Sequence, residues 1–160
     1  GVLSDTHLRT GRTLPLKVWE AIEGVDLLLH AGDIISNSLL TDLGSVAPVY
    51  AVRGNCDGWE TELPDQRIIE CEKVRIGLTH GYRGFGKNTP ERAYNTFKTT
   101  AVDAIVFGHS HQPYHEMKDG VLLFNPGSPT DKRRETQYSI GLLTVEGKQI
   151  EAKHLFFCTL

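Results

Sequence analysis

Five short apolar runs, each stopped by polar residues, constrain what this chain can fold into. "GVLS" runs into Asp5 and His7, "VDLLLH" into Ala31, Gly32 and Asp33, and "VAPVYAV" into Arg53, Gly54 and Asn55. "VRIGLT" runs into His80 and Gly81, and "AIVFG" into His109 and His111. Continuous apolar runs of this length suit strands buried on both faces, as in α/β proteins. Helical patterns lie between them. One has Thr13 as cap, Leu16, Trp19 and Ile22 on one side and Gly24 at its end. A shorter one is capped by Ser36 or Asn37 and ends at Gly44. A third starts at Thr89 with Pro90 following and runs to about Thr100, with Ala93, Phe97 and Ala101 facing inward. After residue 112 the pattern changes to hairpins, with turns at Asp119-Gly120 and Glu146-Gly147. Two sheets packed face to face with helices outside accommodate both halves.

The 160 residues fit one domain, 1–160, long enough to bury a proper core. No internal repeat or linker interrupts them. The chain opens at Gly1 inside what reads as a strand, so that strand is expected to be cut short at its start. A net charge of −3 gives no support for bulk nucleic-acid or membrane binding. No apolar run approaches a membrane span. Cys56, Cys71 and Cys158 are odd in number without CxxC spacing, which argues against a disulfide framework and leads to a cytoplasmic expectation.

In open α/β sheets, ligands bind beyond the carboxyl ends of the strands. Here those ends carry Asp5, His7, Asp33, Asn55, His80, His109 and His111. Singly, a strand-end Asp is usually a cap or turn former, and a lone His is more often structural than a ligand. Repetition at one edge of one sheet is not explained that way. Asp5 and His7, like His109 and His111, are two apart, and in extended backbone such side chains leave on the same face. Two carboxylates, four imidazoles and one amide form a mixed O/N donor set, unlike a structural cysteine-zinc site. Mn, Fe, Zn, Ni and Co all suit it. Seven donors exceed what one tetrahedral ion needs, and suit two ions sharing a carboxylate.

"SDTH", "HAGD", "RGNCD", "THG" and "FGHSHQP", in this order, resemble the calcineurin-like metallophosphoesterases, nearest to their small single-domain bacterial and archaeal phosphodiesterases. That branch is also similar to the retromer subunit of the vacuolar sorting pathway. The resemblance implies a four-layer αββα sandwich, two mixed β-sheets flanked by helices. It implies two divalent transition-metal ions, with Mn the preferred guess and Ni, Fe, Zn or Co acceptable. Asp5, His7, Asp33 and His111 would hold the first, and Asp33, Asn55, His80 and His109 the second, with Asp33 bridging. Asn55, His80 and His109 are the residues expected to carry catalysis. Two such ions, about 3.5–4 Å apart, clamp the attacking and leaving oxygens and supply a bridging hydroxide for in-line attack on phosphorus. Many phosphatases of the superfamily have a histidine where this chain has Cys56, and there the ring can protonate the leaving oxygen.

The expected activity is phosphodiester hydrolysis. Four charges from two divalent ions, set against Asp5, Asp33 and a hydroxide, leave about one positive charge, which matches a diester monoanion. Phosphomonoester hydrolysis is the alternative within the family, and a non-catalytic protein-interaction scaffold the alternative outside it. A small phosphodiester is the expected partner, with no membrane or specific nucleic-acid partner and with self-association left open. Arg53, Arg83 and Lys87 are candidate phosphate contacts, although Arg53 would equally pair with an acid such as Asp57. "GYRGFGK" reads as a mobile segment, either a lid or a connection. Cys56 is expected to be a compact group whose side chain points away from the ions, as a strand neighbour of Asn55. His30 would orient Asp33 or pack in the core. His115 and His154 are expected in solvent, and Cys71 and Cys158 as small packed groups. The "NPGSP" turn offers Gly127 and Ser128 as backbone donors.

Overall fold

A computed structural model describes residues 1–58 and 61–159. Ten strands form two five-stranded sheets. In the first, with order β10-β9-β1-β2-β3, the three parallel strands are β1 (Val2–Leu3), β2 (Leu28–His30) and β3 (Val49–Ala51). They are extended antiparallel by the hairpin of β9 (Tyr138–Glu146) and β10 (Gln149–Phe157). The second has order β4-β5-β6-β8-β7. Its parallel centre is β5 (Val74–Thr79), β6 (Ala104–Val106) and β8 (Val121–Asn125). β4 (Gln66–Cys71) and β7 (Tyr114–Lys118) pair antiparallel at its edges.

Alternation along the strands divides the apolar residues into three layers. Val2, Leu29 and Val52 face Ile76, Leu78, Val106 and Phe124 between the sheets. Their neighbours Leu3, Leu28 and Ala51 face outward onto α1 (Leu16–Ala21) and α2 (Asn37–Gly44). Ile105, Phe107 and Leu123 face outward onto α3 (Thr89–Thr96) through Ala93 and Phe97. The result is the four-layer αββα sandwich. No helix among the described residues is long and apolar enough to cross a membrane.

The helices are shorter than their sequence patterns suggest. Pro15 holds an extended ψ of 148° and is the cap of α1, and the restriction a proline places on the residue before it keeps Leu14 outside the helix. Thr13 instead accepts from Trp19 Nε1 at 3.2 Å. Ser36 caps α2 by accepting from Ser38 N. Asn88, one residue before the expected Thr89, caps α3 by accepting from Glu91 N. α3 stops at Thr96, whose hydroxyl bonds back to the Arg92 carbonyl at 2.8 Å. Threonines are poor helix continuers, and Ala101, expected inside, is exposed.

Candidate metal centre

All seven donor residues lie just past the carboxyl ends of parallel strands, but of two sheets rather than one. β1 delivers Asp5 and His7, β2 Asp33 and β3 Asn55, while β5 delivers His80 and β6 His109 and His111. The backbone there is not extended. Asp5, His7, Asp33, His109 and His111 have φ of 54°, 47°, 57°, 70° and 61°. The paired residues therefore turn inward through left-handed conformations that cost an L-residue roughly 1–2 kcal/mol each. Hydrogen bonds between loops hold them, Asp5 N to Gly32 O and His7 N to Asp33 O, both 3.0 Å.

The donor atoms form two adjoining groups. In the first, His111 Nε2 stands 3.4 Å from Asp5 Oδ1 and 3.3 Å from His7 Nε2, and His7 Nε2 is 3.5 Å from Asp33 Oδ2. In the second, His80 Nε2 is 3.3 Å from Asp33 Oδ2 and 3.0 Å from Asn55 Oδ1. His109 Nδ1 is 3.1 Å from the same Asn55 oxygen. Asp33 Oδ2 thus borders both groups, while Asp33 Oδ1 is turned away to accept from Cys56 N at 2.8 Å.

The partners of the ring nitrogens indicate which lone pairs face the site. His80 Nδ1 lies 2.7 Å from the Ala31 carbonyl oxygen, and His111 Nδ1 on that of Asp131. A carbonyl only accepts, so each ring carries its proton on Nδ1 and turns an Nε2 lone pair inward. Those lone pairs face carboxylate and amide oxygens, acceptors against acceptors. Among the described residues Asp5 Oδ1 is fully buried without a hydrogen-bond partner, whereas Asp5 Oδ2 accepts from Ser4 Oγ and His109 N. Buried acceptors converging in this way are a set that a bound cation would satisfy. Burial lowers the proton affinity of His80, but the Asp33 and Asp5 carboxylates outweigh it and hold the ring above its ordinary pKa. Burial works against ionisation of Asp33, yet its contact with His80 and the Cys56 N–H bring it below the usual carboxylate range. The residues fit metal ions of the mixed O/N class.

Two tight approaches explain the glycines beside the donors. A Cβ on Gly54 would fall 2.2 Å from Asp33 Oδ1, and one on Gly108 2.6 Å from Asp5 Oδ2.

Several residues stand elsewhere than the sequence suggests. Asp57 does not pair with Arg53. Its carboxylate accepts from the backbone N–H groups of Asp33, Ile34, Ile35 and Gly54 at 2.8–2.9 Å, fixing the Asp33 turn. Arg53 pairs with Asp65 at 3.0 Å, and Arg83 reaches the same carboxylate at 3.1 Å. The "GYRGFGK" segment is tied to α3 by Arg92 Nε to Gly86 O, Asn95 Nδ2 to Phe85 O and Lys87 N to Glu91 Oε2, while its Phe85 side chain is exposed. Lys87 itself is exposed. Cys56 is on a turn, not a strand, and is exposed at the rim, its sulfur within 4.8 Å of donor atoms of His7 and Asp33. Burial and then the charge of Asp33 raise its thiol pKa.

His30 is fully buried and bonds Thr6 Oγ1 and Gly32 N, not the Asp33 carboxylate. The "NPGSP" turn braces the site from below. Gly127 N is taken by Asn125 Oδ1, Asn125 Nδ2 donates to Gly108 O, and the Ser128 hydroxyl donates to Asp5 O. His115 is exposed as expected, but His154 is half-buried, stacked on Phe124 at 4.5 Å and bonded to Asn125 O. Cys71 packs against the core between the sheets, whereas Cys158 is exposed. Asp57, Asp65 and Asn125 were legible only as turn residues, since their partners are distant in sequence.

Comparison with known proteins gives one family. Residues 1–148 match the calcineurin-like phosphoesterase superfamily domain. A probable metallophosphoesterase of Methanothermobacter thermautotrophicus is 38% identical over 155 residues, 96% of this chain and 89% of the relative. A phosphodiesterase of Methanocaldococcus jannaschii is 29% identical, over 79% of this chain and 81% of that protein. Among solved structures, Vps29 of Chaetomium thermophilum superposes with a TM-score of 0.81 at 19% identity, covering 98% of this chain and 96% of its own.

Proposed function

The chain belongs to the calcineurin-like phosphoesterase superfamily, and within it we propose that this protein is a dinuclear metal-dependent phosphodiesterase. The observation that carries the reading is Asp33 Oδ2, bordered by His7 Nε2 at 3.5 Å on one side and His80 Nε2 at 3.3 Å on the other. A carboxylate oxygen between two groups of inward lone pairs is the arrangement a shared ligand needs. Asp5, His7, Asp33 and His111 would hold one ion, and Asp33, Asn55, His80 and His109 the other. When bound, the ions would supply an acidified water as nucleophile and positive charge for the phosphoryl oxygens.

The chain's own residues supply position. The Ala31 and Asp131 carbonyls fix the His80 and His111 rings in their tautomers, which keeps their lone pairs on the site. Asn55 presents its oxygen inward and keeps its amide N–H groups for a phosphate oxygen, one of them now resting on Cys56 Sγ at 3.5 Å. His109, half-exposed at the mouth, is held below its ordinary pKa by burial and then by His80, so it stays neutral there. The complete donor set favours hydrolysis over the scaffold role.

The test is a hydrolysis panel on protein reconstituted with Mn first, then Ni, Fe, Zn and Co. Bis-p-nitrophenyl phosphate, p-nitrophenyl phosphate and cyclic nucleotides are compared. Diester hydrolysis exceeding monoester hydrolysis, and lost in Asp33→Asn but not in His115→Ala, is expected. Monoester preference, or no hydrolysis with any ion, would overturn the reading.

A further inference from the structure

Next to the metal centre lies a cavity of about 470 Å³ lined by Ser110, Gln112, Lys132, Arg133, Arg134 and Glu135. Ser110 sits between His109 and His111 in the chain, so the cavity begins at the loop that carries both. Three cations face one carboxylate there, against the grain of a chain with net charge −3. Lys132 is partly committed, donating to Glu135 O at 3.1 Å and lying over the Tyr138 ring. Arg133 and Arg134 are exposed, and their guanidinium groups make no hydrogen bond or ion pair among the described residues. This contrasts with Arg53 and Arg83, which both pair with Asp65.

The turn that carries the two arginines is anchored beneath the centre. Buried Ser128 donates to the Asp5 carbonyl and accepts from Thr130 N and Asp131 N. His111 donates to Asp131 O, and the Asp131 carboxylate accepts from Arg133 N at 3.4 Å. Arg133 is held in the left-handed region at φ 49°. These bonds fix where the arginines leave the turn relative to the donor atoms. A simple diester brings one negative charge, which the ions would match. Two further cations rooted in an anchored turn exceed what such a substrate needs.

We propose that Arg133 and Arg134 form an anion subsite, and that the substrate is a phosphodiester carrying a second phosphate on one of its ester groups. This rests on the phosphodiesterase reading above. A cavity of this size suits a nucleotide-sized group.

The probes are the p-nitrophenyl ester of thymidine 5′-phosphate with and without a 3′-phosphate. Leaving group and reacting diester are the same in both. For metal-reconstituted full-length protein, kcat/KM should favour the 3′-phosphorylated ester about tenfold, the combined worth of two exposed charge contacts. In the Arg133→Gln/Arg134→Gln variant the ratio should fall to within about twofold of one. Lys148→Gln should keep the wild-type ratio. Lys148 lies in the β9–β10 turn, and β9 runs antiparallel to β1, which puts that turn at the opposite end of the sheet from Asp5. Equal rates for the two esters in the wild type, or a ratio that survives in the double variant, would overturn the subsite. Calorimetric binding of thymidine 3′,5′-bisphosphate separates the two levels. Arginine-dependent binding without hydrolysis of either ester would sink the phosphodiesterase reading and keep the subsite. Neither binding nor hydrolysis would sink both.

Discussion

Replacing Asp57 by Asn keeps the side chain's volume and removes half of its accepting capacity. Oδ1 now takes Ile34 N and Ile35 N at 2.9 and 2.8 Å, and Oδ2 takes Asp33 N and Gly54 N at 2.9 and 2.8 Å. The amide can serve one pair with its oxygen, but its NH₂ would then face two N–H donors. Two hydrogen bonds to a charged acceptor are lost, at about 1.5–3 kcal/mol each, and the surviving pair weakens to the neutral strength. The expected destabilisation is about 4 kcal/mol, a large part of a typical domain's stability of roughly 5–15 kcal/mol. With a urea slope of about 2 kcal/mol per M, the midpoint should fall by about 2 M. The assay is urea unfolding by circular dichroism on metal-free protein, so that bound ions do not mask the effect. A midpoint shift below about 0.5 M at unchanged slope would refute the claim that Asp57 holds the Asp33 turn.

Acid should destabilise the metal-free protein through His30. Burial first, with the charge of His80 adding, pushes its pKa from 6.5 down to about 3, and its Nδ1 accepts from Gly32 N. The unfolded chain therefore takes the proton first, so this stability is whole above pH 6.5 and is lost as pH falls toward about 3. His30→Asn should flatten the slope of stability against pH in that window, and an unchanged slope would contradict the assignment. At His7, with φ 47°, the Gly variant should be more stable than the Ala variant by about 1 kcal/mol, read from thermal melts, because only glycine is at ease in that conformation; equal stability would mean the backbone is not strained there. Cys56→Ser should retain most activity on bis-p-nitrophenyl phosphate, and the parent should show a steep leaving-group dependence, since general-acid help of about 10²–10⁴ is missing from an exposed thiol whose pKa is raised. A flat dependence with collapse of Cys56→Ser would give the thiol a direct role.

Much of the fold was readable because strand burial is a local signal. The runs ending at Asp5, Asp33, Asn55, His80 and His109 are β1, β2, β3, β5 and β6, the first hairpin turns at Asp119-Gly120 as expected, and the second turns at Gly147-Lys148, one residue later than expected. The candidate donors stood out for the same reason, since each lies within a few residues of the end of a run. The division of those strands between two sheets was not, because a parallel strand leaves no mark of its neighbour in the sequence. β4 carries a mixed pattern, with exposed Gln66 and Glu70 around Ile69, and made no apolar run. The partners of Arg53, Arg83 and Asp57 depend on how loops close over distances that spacing does not encode. For Arg133 and Arg134 the obstacle was different, because a "KRR" run reads as solvated surface until Ser128 is seen bonded to Asp5.

Anomalous diffraction at the absorption edge of the reconstituted metal tests the dinuclear centre most directly. Two peaks are expected on either side of Asp33 Oδ2, one among Asp5, His7 and His111 and the other among Asn55, His80 and His109. A single peak, or peaks away from Asp33, would contradict the shared-carboxylate centre.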